Sequence, residues 1–157
     1  MRAMLAAHVE DDPSPATLKR LSRLDTGGHP VLTVYIDLDP SRFPTPKARK
    51  SELESLMDEA HRAGAADDFM ALLAWLDADS ESLRDVHGLA VFSSLPAGLL
   101  EAVRLHTPVE PLVVVDSMPW LEPLAALTSD GSSGVAVASR RAGRLFRRDA
   151  SRLVEFA

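Results

Sequence analysis

Residues 31–38, VLTVYIDL, do most to limit what this chain can fold into. Val31, Thr33, Val34 and Ile36 are β-branched and Tyr35 is aromatic, and such side chains pack well on a pleated sheet. Alternation places Leu32, Val34, Ile36 and Leu38 on one uniformly apolar face, which is expected to meet the core. Val31, Thr33, Tyr35 and Asp37 fall on the other. The strand runs into Asp39-Pro40, and Pro44 and Pro46 stiffen the loop beyond it. A helix is then expected over 47–62, with Thr45 as N-cap and Pro46 at its first position. Leu53, Leu56, Met57 and Ala60 supply its apolar side. A strand passing directly into a long amphipathic helix points to a layered α/β domain.

The rest of the chain extends that pattern. Residues 1–14 are expected to be loosely structured, followed by a short helix over 15–24 capped by Ser14, with Leu18, Leu21 and Leu24 on one face. Gly64 closes the long helix. Asp67 or Asp68 is expected to cap another, marked by Phe69, Leu72, Leu73 and Leu76. The two helices are expected to form an antiparallel pair on one face of the sheet. Strands at 88–93 and 99–106 are joined through Leu95-Pro96-Ala97-Gly98, which implies antiparallel pairing. The apolar run 112–115 is expected at the centre of the sheet, and Ser117 introduces a helix over 119–127. From Gly131 the chain reads as three short strands, with turns at Arg141-Ala142-Gly143 and near Asp149. The expected architecture is α/β, with a mixed sheet of about four strands packed with helices over 1–128. Residues 129–157 supply a linker and an opening β-hairpin.

Composition removes several classes of function. There is no cysteine, so disulfides, thiolate metal sites and cysteine nucleophiles are excluded. The chain suits a reducing cytoplasm, and no apolar run approaches the roughly 20 residues of a membrane helix. His8, His29, His61, His87 and His106 form no HxH or HExxH spacing. No nucleophile elbow, phosphate-cradling glycine loop or cofactor-binding motif is present. A net charge of −6 means that any contact with nucleic acid needs a local basic face.

Two such faces exist. Arg42, Lys47, Arg49 and Lys50 crowd the loop and helix start. Positive charge there opposes the helix dipole, so local stability does not account for it. Either a phosphate-bearing partner or simple balance by Glu52, Glu54, Asp58 and Glu59 does. Arg140, Arg141, Arg144, Arg147 and Arg148 are the densest cationic group, with only Phe146 interleaved. Nucleic-acid contact and protection of a sheet edge are both open for them. A different chemistry is suggested by Asp37-Leu38-Asp39-Pro40-Ser41. Paired aspartates at a strand end open the active site of haloacid-dehalogenase-type phosphatases, which use Mg²⁺. No Lys follows Lys50 and no acidic pair is found at a later strand end, so turn formation by Asp39 with a solvated Asp37 is the competing account.

The segment VLTVYIDLDPSRFPTPKARKSELESLMDEA resembles the N-terminal domain of bacterial relatives of the archaeo-eukaryotic class-1 peptide-chain release factor. HGLAVFSS, LLEAVRLHTPVEP and VVVDSMPWLEPLAAL continue the likeness, and GVAVASRRAGRLFRR is similar to the first hairpin of that family's RNase-H-like second domain. The resemblance implies ribosome association, through rRNA or tRNA, and peptidyl-tRNA hydrolysis or rescue of stalled complexes by the full-length relatives. That hydrolysis uses a Gly-Gly-Gln loop, and codon reading uses Asn-Ile-Lys-Ser; this chain has neither, so no residue inherits a catalytic role. The resulting expectation is a non-catalytic ribosome- or RNA-facing module without cofactor or metal. A Mg²⁺-dependent phosphatase using Asp37 and Asp39 is the enzymatic alternative, and a structural interaction domain, including a homo-oligomer, is the third.

Overall fold

The structure, a computed structural model, describes residues 7–78 and 83–128, together with the backbone of 134–138, 143–149 and 152–156. The elements are β1 (His8–Asp11), α1 (Pro15–Ser22), β2 (Val31–Asp37), α2 (Pro46–Arg62), α3 (Ala66–Ala78), β3 (Gly88–Ser94), β4 (Leu99–Leu105), β5 (Leu112–Asp116), α4 (Glu122–Leu127), β6 (Gly134–Ala138), β7 (Gly143–Asp149) and β8 (Arg152–Phe156). The first five strands form a sheet in the order β1-β4-β3-β2-β5. Only β1–β4 is parallel, so the sheet is mixed and the α/β expectation holds.

Helices cover both faces of this sheet. Leu32, Val34 and Ile36 of β2 meet Leu56 and Ala60 of α2 and Phe69, Leu72, Trp75 and Leu76 of α3 in one core. Val31 and Tyr35 meet Leu18 and Leu21 of α1 and Leu124 and Ala125 of α4 in the other. All seven residues of β2 are therefore buried, and Asp37 is not a solvated strand residue. On β2 this second face tolerates polar side chains because each finds a partner. The Tyr35 hydroxyl donates to the Trp120 carbonyl at 2.6 Å, and Thr33 Oγ1 accepts from the Trp120 amide at 3.0 Å. These two bonds fasten the segment leading into α4 onto β2.

Several boundaries differ from expectation for identifiable reasons. Residues 8–11 are a strand, held by the parallel ladder to β4, by Arg104 on Asp11 at 2.6 Å and by Arg20 on Glu10 at 2.8 Å. β5 lies at the sheet edge, not its centre. Its residues are apolar because Val113 and Val115 pack on one core and Leu112 on the other, and periodicity alone cannot separate an edge strand covered on both faces from a central one. Asp67 and Asp68 lie inside the first turn of α3 and cap nothing from outside it. Gly64, at φ +80°, makes the left-handed turn between α2 and α3 that a side chain would resist. α4 begins at Glu122, three residues later than position 119. The last three strands form a separate antiparallel sheet in the order β6-β7-β8. Residues 129–133 of the expected linker, Arg141 and Ala142 of the first expected turn, and residues 150–151 lie outside the described residues, while Gly143 and Asp149 are the first and last residues of β7. Among the described residues no helix is long and apolar enough to cross a membrane.

Candidate functional site

The end of β2, the loop 38–45 and the first turns of α2 converge on Asp37. Its side chain is fully buried. Oδ1 accepts the Asp39 amide at 2.9 Å and Oδ2 accepts Nη1 of Arg42 at 2.8 Å. Asp39 in turn shapes the loop: Oδ1 accepts the Ser41 amide at 3.0 Å, and its carbonyl accepts the amides of Arg42 and Phe43 at 3.1 and 2.9 Å. Hydrogen bonds from Ser41 hold the Asp39 carboxyl below the ordinary aspartate range. His87 Nδ1 stands 3.8 Å from Asp39 Oδ1. The aspartates thus build a turn, as one sequence account expects. Asp37, though, is a buried counter-ion and not a solvated group.

Glu52, on the second turn of α2, is the residue that sequence reasoning left as a balancing charge. Its Oε1 accepts the Asp37 amide at 3.2 Å, while Oε2 is buried with no hydrogen-bond partner among the described residues. Burial pushes its carboxyl up to about 7, and the neighbouring Asp37 charge pushes the same way; the Asp37 amide and Arg42 act against both. The available signal was position: Glu52 adjoins Leu53 and lies four residues before Leu56, on the apolar side of the helix. It borders a cavity of about 430 Å³ whose walls include Ile36, Leu38, Leu53 and Leu76, with Arg49 and Arg84 beside it.

Arg42, Lys47, Arg49 and Lys50 are all exposed. Arg42 is engaged by Asp37. Lys47, Arg49 and Lys50 make no ion pair or side-chain hydrogen bond among the described residues, and none of Glu52, Glu54, Asp58 and Glu59 pairs with them. No direct ion pair among the described residues balances these three cations. Lys47 and Lys50, three residues apart, share one side of the helix, while Arg49 turns toward the cavity. Thr45 caps the same turn, its hydroxyl accepting the Ala48 amide at 3.2 Å.

Arg140 and Arg141 lie outside the described residues. Arg144, Arg147 and Arg148 belong to β7, which pairs with β6 on one side and β8 on the other. They are on a central strand, so protection of a sheet edge does not account for them. By strand alternation positions 144, 146 and 148 share one face of that sheet and position 147 the other.

The phosphatase geometry is not assembled in this arrangement. The Asp37 side chain is fully buried and each of its oxygens accepts a hydrogen bond from within the fold, so it is not presented to a phosphate substrate in this arrangement. Among the described residues no three His, Asp or Glu side chains are grouped to hold a metal ion. Comparison with known proteins returns no matching family model and no matching curated protein.

Proposed function

We propose that this chain is a non-catalytic, RNA- or ribosome-facing module of a release-factor-like translation or ribosome-rescue protein. The observation that carries the reading is the trio Lys47, Arg49 and Lys50, exposed and without an ion-pair partner among the described residues at the N-terminal turn of α2. Cations in that position raise the local free energy of the helix, and a bound phosphate backbone reverses the sign of the effect. The capped, proline-stiffened loop holds the trio on a rigid support. The release-factor resemblance supplies the partner class, the ribosome or tRNA. The second arginine group on β7 is an additional contact, and the fold would work in the cytoplasm.

The test is co-sedimentation with ribosomes of the wild-type chain and of a Lys47→Glu, Arg49→Glu, Lys50→Glu triple variant. The reading expects the wild type in the pellet and the variant in the supernatant. Equal pelleting of the two would overturn it. Mg²⁺-dependent hydrolysis of an aryl phosphate that is lost in Asp37→Asn would replace it with the phosphatase.

A further inference from the structure

We propose that Asp37, Arg42 and Glu52 form a proton-operated latch on the loop 38–45, which is closed while Glu52 is neutral and loosens when Glu52 ionises. The cluster contains two carboxyl groups and one guanidinium. Asp37 already uses both oxygens, one on the Asp39 amide and one on Arg42. Arg42 is 54% exposed, so water screens part of its charge. Nothing among the described residues donates to Glu52 Oε2, which is buried. A neutral Glu52 leaves one satisfied ion pair. An ionised Glu52 adds a second buried negative charge beside Asp37, with an oxygen that has no donor, and an unmet charged acceptor costs more than an unmet neutral one.

The route to relief runs through the loop. Leu38 and Pro40 wall the same cavity as Glu52, so moving them admits water to the carboxylate. The same motion draws Arg42 away from Asp37 and breaks the turn built on Asp39. Among the described residues, the other charges around Glu52 do not neutralise it. Arg49 lies one turn earlier on α2, Arg84 and Asp85 lie in the segment before β3, and Asp77 lies near the end of α3, two cations against two acids. The upward shift of the Glu52 carboxyl toward 7 agrees with this balance and sets where the latch operates. His87, whose Nδ1 stands 3.8 Å from Asp39 Oδ1, is another group beside the loop that can carry a proton, so it is the necessary control.

The experiment is amide hydrogen exchange of Asp39, Arg42 and Phe43 in the full chain, from about pH 5.5 to 8.5, corrected for the intrinsic pH dependence of exchange. Protection of these amides is expected to fall about tenfold across neutrality in the wild type, to stay high in Glu52→Gln, and to fall as before in His87→Gln. Amides of β3 should not change. Flat wild-type protection, a fall that survives in Glu52→Gln, or one that disappears in His87→Gln would overturn the latch. If Glu52→Gln does not fold, the side-chain carboxyl carbon of Glu52 in the wild type decides. Its NMR titration must share a midpoint with the loss of protection, and separate midpoints would refute the proposal.

Discussion

At the scale of single residues, the fold turns on how buried charges are met. Asp37 depends on Arg42 for its counter-charge, so Arg42→Ala should destabilise the chain by about 1–3 kcal/mol. Asp37→Asn in that background should recover part of the loss, because the asparagine carbonyl still accepts the Asp39 amide. A double-mutant cycle in urea measures the coupling. Glu52 gives a pH dependence of defined sign. Its folded value, about 7, lies above the ordinary 4.5, so the folded state binds the proton more tightly than the unfolded chain. The wild type should lose stability as pH rises from 4.5 through 7, and Glu52→Gln should lack that slope. Urea midpoints at pH 5 and pH 8 check it, with the variant the more stable of the two at pH 8 by about 1 kcal/mol once partial exposure is allowed for. The sequence showed Asp37 and Asp39 as a strand-end pair but not their partners. Arg42 comes five residues later and Glu52 fifteen, and they meet Asp37 only because the loop folds back and α2 lies over the sheet.

At the scale of elements, local chemistry was the readable part. Ser14 and Thr45 cap their helices as expected, with the Ser14 hydroxyl accepting the Thr17 amide at 3.1 Å. Ser14→Ala should cost about 1 kcal/mol, measurable as a shift in urea midpoint. β1 was not readable. HVED has little strand propensity, and what makes it a strand is tertiary. Its ladder to β4 is joined by Glu10, which the Thr17 hydroxyl above all, helped by His8 and Arg20, holds below the ordinary glutamate range. Such a group contributes stability above its unfolded value of 4.5 that is lost as pH falls below it, the opposite sense to Glu52. Gly88 shows another tertiary constraint. A Cβ there would sit 2.8 Å from the Thr107 carbonyl oxygen, a backbone atom with little room to yield. Gly88→Ala should lower stability by about 1–3 kcal/mol and weaken the start of β3, seen as faster exchange of the His87 and Leu38 amides.

At the scale of the whole molecule, the layered α/β architecture followed from the strand at 31–37 and the helices beside it. Covering of both sheet faces did not. Val31 and Tyr35 signal a second core only weakly, because α1 and α4, which complete it, are eight and six residues long. The functional reading is also a property of the whole surface. A chain of net charge −6 binds an anionic partner only through a local face, and Lys47, Arg49 and Lys50 at the start of α2 have no ion-pair partner among the described residues. The most direct test is the salt dependence of ribosome binding. If Lys47, Arg49 and Lys50 each meet a phosphate, a plot of log affinity against log salt concentration should fall with a slope of about −2, and the triple charge-reversal variant should bind too weakly to define one. Wild-type binding that is absent, or that does not change with salt, would contradict the account.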